Sequence, residues 1–157
     1  DVDDCMRALQ KALSLEAKAA PAAPAPWTRF DRKRIMAWGG SHGGFLTTHF
    51  IGQFPNKFKA AATRNPVTDV AFMVTETDIP DWCYTEGGVD YDAAHMPSGD
   101  DYKRFFEMSP VCHATKIKTP LLMLLGLKDL RVPPSQGLNF HRVLKARGVK
   151  TKCLVYP

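Results

Sequence analysis

The sequence lacks any apolar run approaching the roughly 18 residues that a membrane span requires, although 45% of its 157 residues are apolar. Its first ten residues, DVDDCMRALQ, are acidic and amphipathic, unlike the basic and then apolar start of a secretory signal peptide. Charged residues make up 24% of the chain, as is typical of globular domains. We therefore expect a soluble, folded domain with no membrane partner.

Cysteine is sparse and shows no metal-binding pattern. The four cysteines are Cys5, Cys83, Cys112 and Cys153. They form no CxxC pair, and no histidine lies at zinc-finger spacing from them. We expect free thiols in a reducing compartment, with no metal site and no disulfide framework.

Basic residues give the chain a net charge of +5, but they are scattered. The groups at 32–34, 116–118 and 142–152 are not interleaved with the aromatic side chains that stack on bases in single-strand binders. A solvated surface explains them. We expect no nucleic-acid partner.

Short apolar segments alternate with segments of helical periodicity. Strands are predicted at 34–38, 58–63, 121–125 and 149–156, and helices at 1–17, 45–54 and 135–148. This alternation predicts an α/β fold with a mostly parallel sheet and helices on both faces. The Ala/Pro-rich stretch at 17–27 is predicted to be a surface loop insertion. Residues 67–101 are predicted to form loops and short helices along one wall of a site.

The segment GGSHGG at 39–44 matches G-x-S-x-G and joins a predicted strand to a predicted helix. A serine on so sharp a turn requires close backbone neighbours, so we expect glycine to be needed two residues on either side. The turn exposes the hydroxyl of Ser41 at a helix start, where unpaired N–H groups can stabilise an oxyanion. Ser41 is thus the predicted nucleophile, and the backbone N–H of His42 is a predicted oxyanion donor. The His42 side chain is not expected to be the base, because adjacent side chains on such a turn diverge.

Asp129 follows the predicted strand 121–125, in the loop LKDLRVP. An acid after a later strand, with the chain order Ser then Asp, is what a Ser-His-Asp triad on this kind of sheet requires. Asp129 is the predicted triad acid. Arg131, two residues later, is predicted to pair with a nearby carboxylate or to remain exposed, in a structural role.

Three segments together resemble the acylaminoacyl-peptidase (acyl-peptide hydrolase) branch of the prolyl oligopeptidase family of serine peptidases. They are GGSHGGF at 39–45, TDIPDWC at 77–83 and SPVCHATKIKTPLLMLLGLKDLRVP at 109–133. The resemblance runs from DVDD at the start to LVYP at the end and skips the Ala/Pro-rich stretch. It implies an α/β-hydrolase fold with Ser41 as nucleophile and Asp129 as acid. It also implies release of an N-acylated amino acid from a blocked peptide through an acyl-enzyme, with no cofactor and a cytoplasmic location.

The resemblance further implies parts that these residues do not contain. The family has an N-terminal β-propeller, a second oxyanion donor upstream and a catalytic histidine shortly after the segment matched by LVYP. We therefore expect residues 1–157 to be part of a hydrolase catalytic domain, inactive in isolation, from a protein that is a possible homo-oligomer. The histidines His49, His95, His113 and His141 match no catalytic position. Phe72 and Trp82 are predicted to line the pocket for the acylated residue.

Three alternatives remain open at this point. The chain could be another peptidase of the same family, such as a dipeptidyl or prolyl enzyme. It could be a carboxylesterase, which should carry an HGGG-type oxyanion loop upstream. From a different class, it could be a non-catalytic interaction protein of hydrolase ancestry.

Overall fold

The structure is a computed structural model that describes the backbone of residues 1–18 and all of residues 30–157. Its α-helices are α1 (Val2–Lys18), α2 (His42–Gln53), α3 (Val70–Met73), α4 (Pro80–Gly87), α5 (Gly99–Glu107) and α6 (Pro134–Ala146), and Pro110–Lys116 form a 3-10 helix. Its strands are β1 (Met36–Gly40), β2 (Ala60–Arg64), β3 (Leu121–Gly126) and β4 (Thr151–Tyr156). The first two residues of the predicted Ala/Pro-rich insertion at 17–27 belong to α1, and the rest of the insertion lies outside the described residues.

The four strands form one parallel sheet in the order β1-β2-β3-β4. Each crossover between neighbouring strands contains at least one helix, which a parallel connection requires. The predicted parallel sheet with flanking helices is confirmed. Because all four strands run in the same direction, the loops after β1 and β3 lie at the same end of the sheet, where the strands have their carboxyl ends.

The two faces of the sheet differ in burial. One face carries alternate residues such as Ala37, Thr63 and Met123, which are buried beneath α2 and α6. The opposite face includes Met36 and Trp38, each 71% exposed. Within the described residues, the helices that pack directly on the strands therefore cover one face, and the helices expected on the other face are not among them.

Two apolar clusters hold the helices in place. The first lies between the sheet and its helices and includes Ile51, Met123 and Phe140. The second joins α2 to α3, α4 and α5 through residues such as Phe45 and Phe105. The second cluster shows that the segment from 67 onward is a packed helical layer beside the sheet edge, which gives the site a wall.

Helix ends follow the expected backbone chemistry. α4 and α6 begin with proline at the first helical position, where a missing N–H is tolerated. The helix predicted to end at Gly148 ends at Ala146, and Gly148 adopts the left-handed φ of 74°.

Among the helices described, none combines the length and the apolar character of a membrane span.

Candidate active site

Ser41 stands on the turn between β1 and α2. Its φ of 55° and ψ of −123° lie in a region that is costly for a residue with a Cβ, by about 1–3 kcal/mol. Its N–H donates to the carbonyl of Arg64 at 2.9 Å, and its carbonyl accepts from the N–H of Gly44 and Phe45 at 2.9 and 3.0 Å. The side chain is exposed. The geometry predicted for a nucleophile turn is therefore present at Ser41.

The close contact expected around Ser41 is present at one of the two predicted glycines. A Cβ on Gly39 would lie 2.1 Å from the carbonyl oxygen of Gly43, so the position two residues before the serine requires glycine. A Cβ on Gly43 would meet nothing within 4 Å, so the expectation was wrong there as far as close contact is concerned. At Gly44 a Cβ would lie 2.8 Å from both Cα and Cβ of Pro66. The second close approach is thus three residues after the serine.

His42 is the first residue of α2, so no preceding helical turn supplies an acceptor for its N–H. Its ring stacks on Phe45 with a centroid distance of 5.7 Å and meets the edge of Trp82 at 5.9 Å. Its Nε2 lies 3.3 Å from a carboxylate oxygen of Glu86. The ring is therefore held against α4, and the role of the backbone N–H as oxyanion donor stays a prediction.

The same ring belongs to a small charged group. Ligand atoms of Asp1, His42 and Glu86 lie within 4.8 Å of one another, the one such group that the described part of the chain contains. Asp1 is exposed, and exposed carboxylates commonly gather without an ion. We assign no metal to this group.

Asp129 lies in the loop that leaves β3 and is half-buried. One carboxylate oxygen, Oδ1, accepts the backbone N–H groups of Arg131 at 3.0 Å and Val132 at 2.9 Å. Within the described residues, the other oxygen, Oδ2, has no hydrogen-bond partner. One oxygen is thus fixed by the loop itself while the other can accept a further donor.

A second set of contacts anchors this loop to the segment before α4. The guanidinium of Arg131 donates to both carboxylate oxygens of Asp78, at 3.3 and 3.2 Å. This contact holds the pKa of Asp78 below its usual range and raises that of Arg131. The Thr77 hydroxyl donates to the carbonyl of Arg131 at 2.7 Å, and the N–H of Asp78 donates to the carbonyl of Leu130 at 3.2 Å. The predicted partner of Arg131 is therefore Asp78, and the role is structural.

Strand β2 separates the two predicted catalytic residues. Ser41 follows β1 and Asp129 follows β3, so two strand spacings, roughly 10 Å, lie between the strand ends. That gap is too wide for a direct hydrogen bond and matches the need for one imidazole ring between acid and nucleophile. Asn65, which follows β2, contacts the backbone of Gly126 and was not singled out from the sequence. The signal was an Asn-Pro pair directly after an apolar strand, which is typical of a turn.

None of the other four histidines, all of which the structure describes, is held between Ser41 and Asp129. His49 contacts the carbonyl of Met108 and the amide of Gln53, each at 3.0 Å. His113 packs on the ring of His49. His95 contacts Asp92 at 2.7 Å, and His141 contacts Thr151 at 3.2 Å.

The two predicted substrate-binding aromatics lie on different surfaces. Trp82 lies beside His42, next to the nucleophile turn. Phe72 is 43% exposed and lines a separate cavity of about 240 Å³ together with Gln136 and Arg142. A substrate-binding role for either residue stays a prediction.

Known proteins match this chain in both sequence and structure. The acylamino-acid-releasing enzyme of Arabidopsis thaliana is 50% identical over 158 aligned residues, which span all of this chain and 19% of that protein. The enzyme of the same name from Sus scrofa is 47% identical over 128 residues, which span 82% of this chain and 18% of that protein. The chain thus spans about a fifth of the length of these relatives.

Solved structures give the same picture. Acylaminoacyl peptidase of Pyrococcus horikoshii matches with a TM-score of 0.78 at 25% identity, over all of this chain and 23% of that one. An acylaminoacyl peptidase in complex with Z-Gly-Gly-Phe-chloromethyl ketone matches with a TM-score of 0.79 at 27% identity, over all of this chain and 22% of that one. The model of the prolyl oligopeptidase family matches residues 18–157. The chain, with its serine turn, its parallel sheet and its acid loop, belongs to the prolyl oligopeptidase family.

Proposed function

We propose that this chain carries the nucleophile and the acid of a serine peptidase that releases N-acylated amino acids from blocked peptides. One observation carries the proposal: Ser41 has an exposed side chain on a strained turn at a helix start, across β2 from the Asp129 loop. The relatives named acylamino-acid-releasing enzymes support the substrate class. Residues 1–157 are, in this proposal, part of an α/β-hydrolase catalytic domain.

The proposed reaction begins at the Ser41 hydroxyl. Its oxygen attacks the carbonyl carbon that joins the acylated residue to the rest of the peptide, while an imidazole removes the hydroxyl proton. The oxyanion is stabilised by the N–H of His42. The C–N bond then breaks, the proton passes from the imidazole to the leaving amine, and water later releases the acylated amino acid by the same steps.

Asp129 has the geometry to orient that imidazole. Its Oδ1 is held by two backbone N–H groups, which leaves Oδ2 to accept the Nδ1–H of the ring. All five histidines of this sequence have other contacts, so in this proposal none of them is the base. The 157-residue polypeptide alone should then turn over substrate on the order of 10⁶-fold more slowly than a complete triad.

The first test is labelling of the full-length protein with a fluorophosphonate probe. The wild type and Ser135→Ala should be labelled rapidly, and Ser41→Ala should not. Ser135 is a control because it lies at the start of α6 rather than on the turn after β1, and its hydroxyl donates to a carboxylate oxygen of Glu76. Labelling of Ser41→Ala at the wild-type rate would remove Ser41 from the mechanism. Equally rapid labelling of the 157-residue polypeptide would show that the base lies within it.

The second test separates the blocked-peptide reaction from the alternatives. Acetyl-alanyl p-nitroanilide should be hydrolysed by the full-length protein, and alanyl p-nitroanilide should be hydrolysed at least about 100-fold more slowly. Preference for the free amine would favour another peptidase of the same family, such as a dipeptidyl or prolyl enzyme. Hydrolysis of simple esters alone would favour a carboxylesterase. No hydrolysis and no labelling would favour a non-catalytic protein.

Location and assembly belong to the proposal as well. We infer a cytoplasmic enzyme that forms homo-oligomers, on the strength of the family resemblance. Fluorescence imaging of the tagged full-length protein and its molar mass in solution test these two points. Secretion, or a monomer at micromolar concentration, would contradict them.

A further inference from the structure

Asn65 lies between the strand of the nucleophile and the strand of the acid. It follows β2, between β1 and β3, and is 9% exposed. We propose that Asn65 is a positioning residue that sets the place of the Asp129 loop relative to Ser41. This inference rests on the proposed function, since it concerns the same site.

On the side of the acid, the Asn65 side chain forms two hydrogen bonds to the backbone of Gly126, the last residue of β3. Its Oδ1 accepts the N–H of Gly126 at 3.1 Å, and its Nδ2 donates to the carbonyl of Gly126 at 3.4 Å. The same carbonyl accepts the N–H of Asp129 at 3.4 Å. The amide therefore fixes the point at which the Asp129 loop leaves the sheet.

On the nucleophile side, the preceding residue provides the contact. The carbonyl of Arg64 accepts the N–H of Ser41 at 2.9 Å. The N–H of Asn65 itself donates to the carbonyl of Leu124 at 2.9 Å. Residues 64 and 65 thus bond to the nucleophile turn on one side and to the acid strand on the other.

The backbone of Asn65 explains why asparagine suits this position. Its φ is 40°, a left-handed value that asparagine, aspartate and glycine adopt more readily than other residues. Aspartate keeps the acceptor for the Gly126 N–H and loses the donor. Glycine keeps the backbone conformation and loses both contacts. Asn65→Gly therefore removes the amide without adding backbone strain, and Asn65→Asp removes half of its contacts.

We expect Asn65→Gly to lower kcat by about 10- to 100-fold with KM within about twofold, because a misplaced catalytic group affects the reacting geometry more than substrate binding. The acid limb of the kcat/KM profile should shift to lower pH, because a carboxylate farther from the imidazole stabilises its protonated form less. Asn65→Asp should lose about threefold in kcat. A purely structural role would leave the pH profile unchanged.

The experiment compares full-length wild type, Asn65→Gly, Asn65→Asp and the control Asn56→Gly. Asn56 lies in the exposed turn after α2, away from the strand ends. Kinetics with a blocked p-nitroanilide are combined with hydrogen exchange of the peptide that covers 121–130. Faster exchange there in Asn65→Gly, together with the loss of kcat and the shifted acid limb, supports the inference. Asn56→Gly should match the wild type in every measurement.

Unchanged kcat or unchanged exchange in a folded Asn65→Gly would overturn the inference while the wild-type activity leaves the proposed function intact. If Asn65→Gly unfolds below the assay temperature, Asn65→Asp decides: wild-type kcat and exchange in that variant overturn the inference. A wild type that neither hydrolyses the substrate nor reacts with the probe overturns the proposed function, and this inference falls with it.

Discussion

At the scale of single residues, the glycines around Ser41 separate two requirements that the motif presents together. Gly39 and Gly44 each stand where a Cβ would meet backbone or proline atoms at 2.1 to 2.8 Å, whereas the Cβ position at Gly43 is open. A clash with backbone atoms cannot be relieved by a change of rotamer, so the surrounding turn would have to move. Of the four glycines in GGSHGG, Gly39 and Gly44 are therefore required by packing, whereas the Cβ position of Gly43 is open.

We predict that Gly39→Ala and Gly44→Ala each lower the free energy of unfolding by about 3 kcal/mol. Gly43→Ala should leave it unchanged or raise it by up to about 1 kcal/mol, because alanine is the better helix former. Urea unfolding of the three variants measures this difference. Equal destabilisation by all three substitutions would contradict the open space at the Cβ position of Gly43.

His49 provides a residue-scale prediction about pH. Its side chain is 5% exposed, and burial, followed by the nearby ring of His113, lowers its pKa to about 4 from the usual 6.5. The hydrogen bond to Met108 opposes this shift. The contact from the Gln53 amide to Nδ1 is consistent with a neutral ring that donates from Nε2. The folded state therefore favours unprotonated His49.

The consequence for stability has a definite sign. Between pH 6.5 and about 4 the unfolded chain binds the proton and the folded chain does not, so stability falls as the pH is lowered. The loss attributable to His49 should be at most about 1.4 kcal/mol per pH unit in that window and absent above pH 7. His49→Gln removes this titration. The stability difference between wild type and His49→Gln should shrink on acidification, and a difference independent of pH would contradict the assignment.

A site residue can be predicted from the sequence where a motif or the chain order identifies it. Ser41 was indicated by a glycine pattern at a strand-to-helix junction, and Asp129 by its place after a later strand. At Asn65 the sequence indicates only a turn, because the significance of this residue comes from a side-chain contact to Gly126, 61 residues away in sequence. Contacts of that kind depend on which strands become neighbours, which a single sequence does not state.

At the scale of elements, apolar runs predicted all four strands to within two residues at each end. β1 extends through Gly40 because the two glycines pair in register with Thr63 and Arg64. α2 begins at His42 rather than at residue 45, since tertiary packing outweighs the low helix propensity of Gly43 and Gly44. Both boundaries differ from the prediction at glycines, because glycine in a sequence is typical of a turn, whereas here it belongs to the strand or to the helix.

The least predictable segment was 67–101, which contains α3, α4 and the first residues of α5. Its polar, mixed composition gives weak periodicity, so short helices there were expected without boundaries. α5 was missed as an element, although its start carries a recognisable signal. Ser98 accepts from the N–H of Asp101 at 3.2 Å, and the Asp101 carboxylate accepts from the N–H of Ser98 at 2.8 Å. This is a capping box with aspartate in place of the usual glutamate.

We predict that Ser98→Ala lowers the free energy of unfolding by about 1 kcal/mol, because it removes the acceptor for the Asp101 N–H. Ser98→Thr should retain most of the stability, since its hydroxyl can cap in the same way. Chemical denaturation of both variants checks this. If alanine and threonine at position 98 prove equally stable, the cap contributes nothing to α5.

At the scale of the whole molecule, the dominant feature is the unequal covering of the sheet. Met36 and Trp38 lie on the face opposite to α2 and α6 and are each 71% exposed. Both belong to β1, which is an edge strand among the four described. A large apolar side chain beside unpaired strand groups favours association between chains.

We predict that the purified 157-residue polypeptide self-associates through this face. Burying one Trp38 side chain contributes about 2 kcal/mol, so Trp38→Lys should weaken association by at least about 30-fold, the factor for a single side chain. Leu138→Lys is the matched control, because Leu138 is 41% exposed on α6, on the other side of the sheet. Light scattering across a concentration series measures the effect. An equal change from both variants would show that added charge acts generally, whereas a change confined to Trp38→Lys would locate the contact on the β1 face and explain it by the apolar area exposed there.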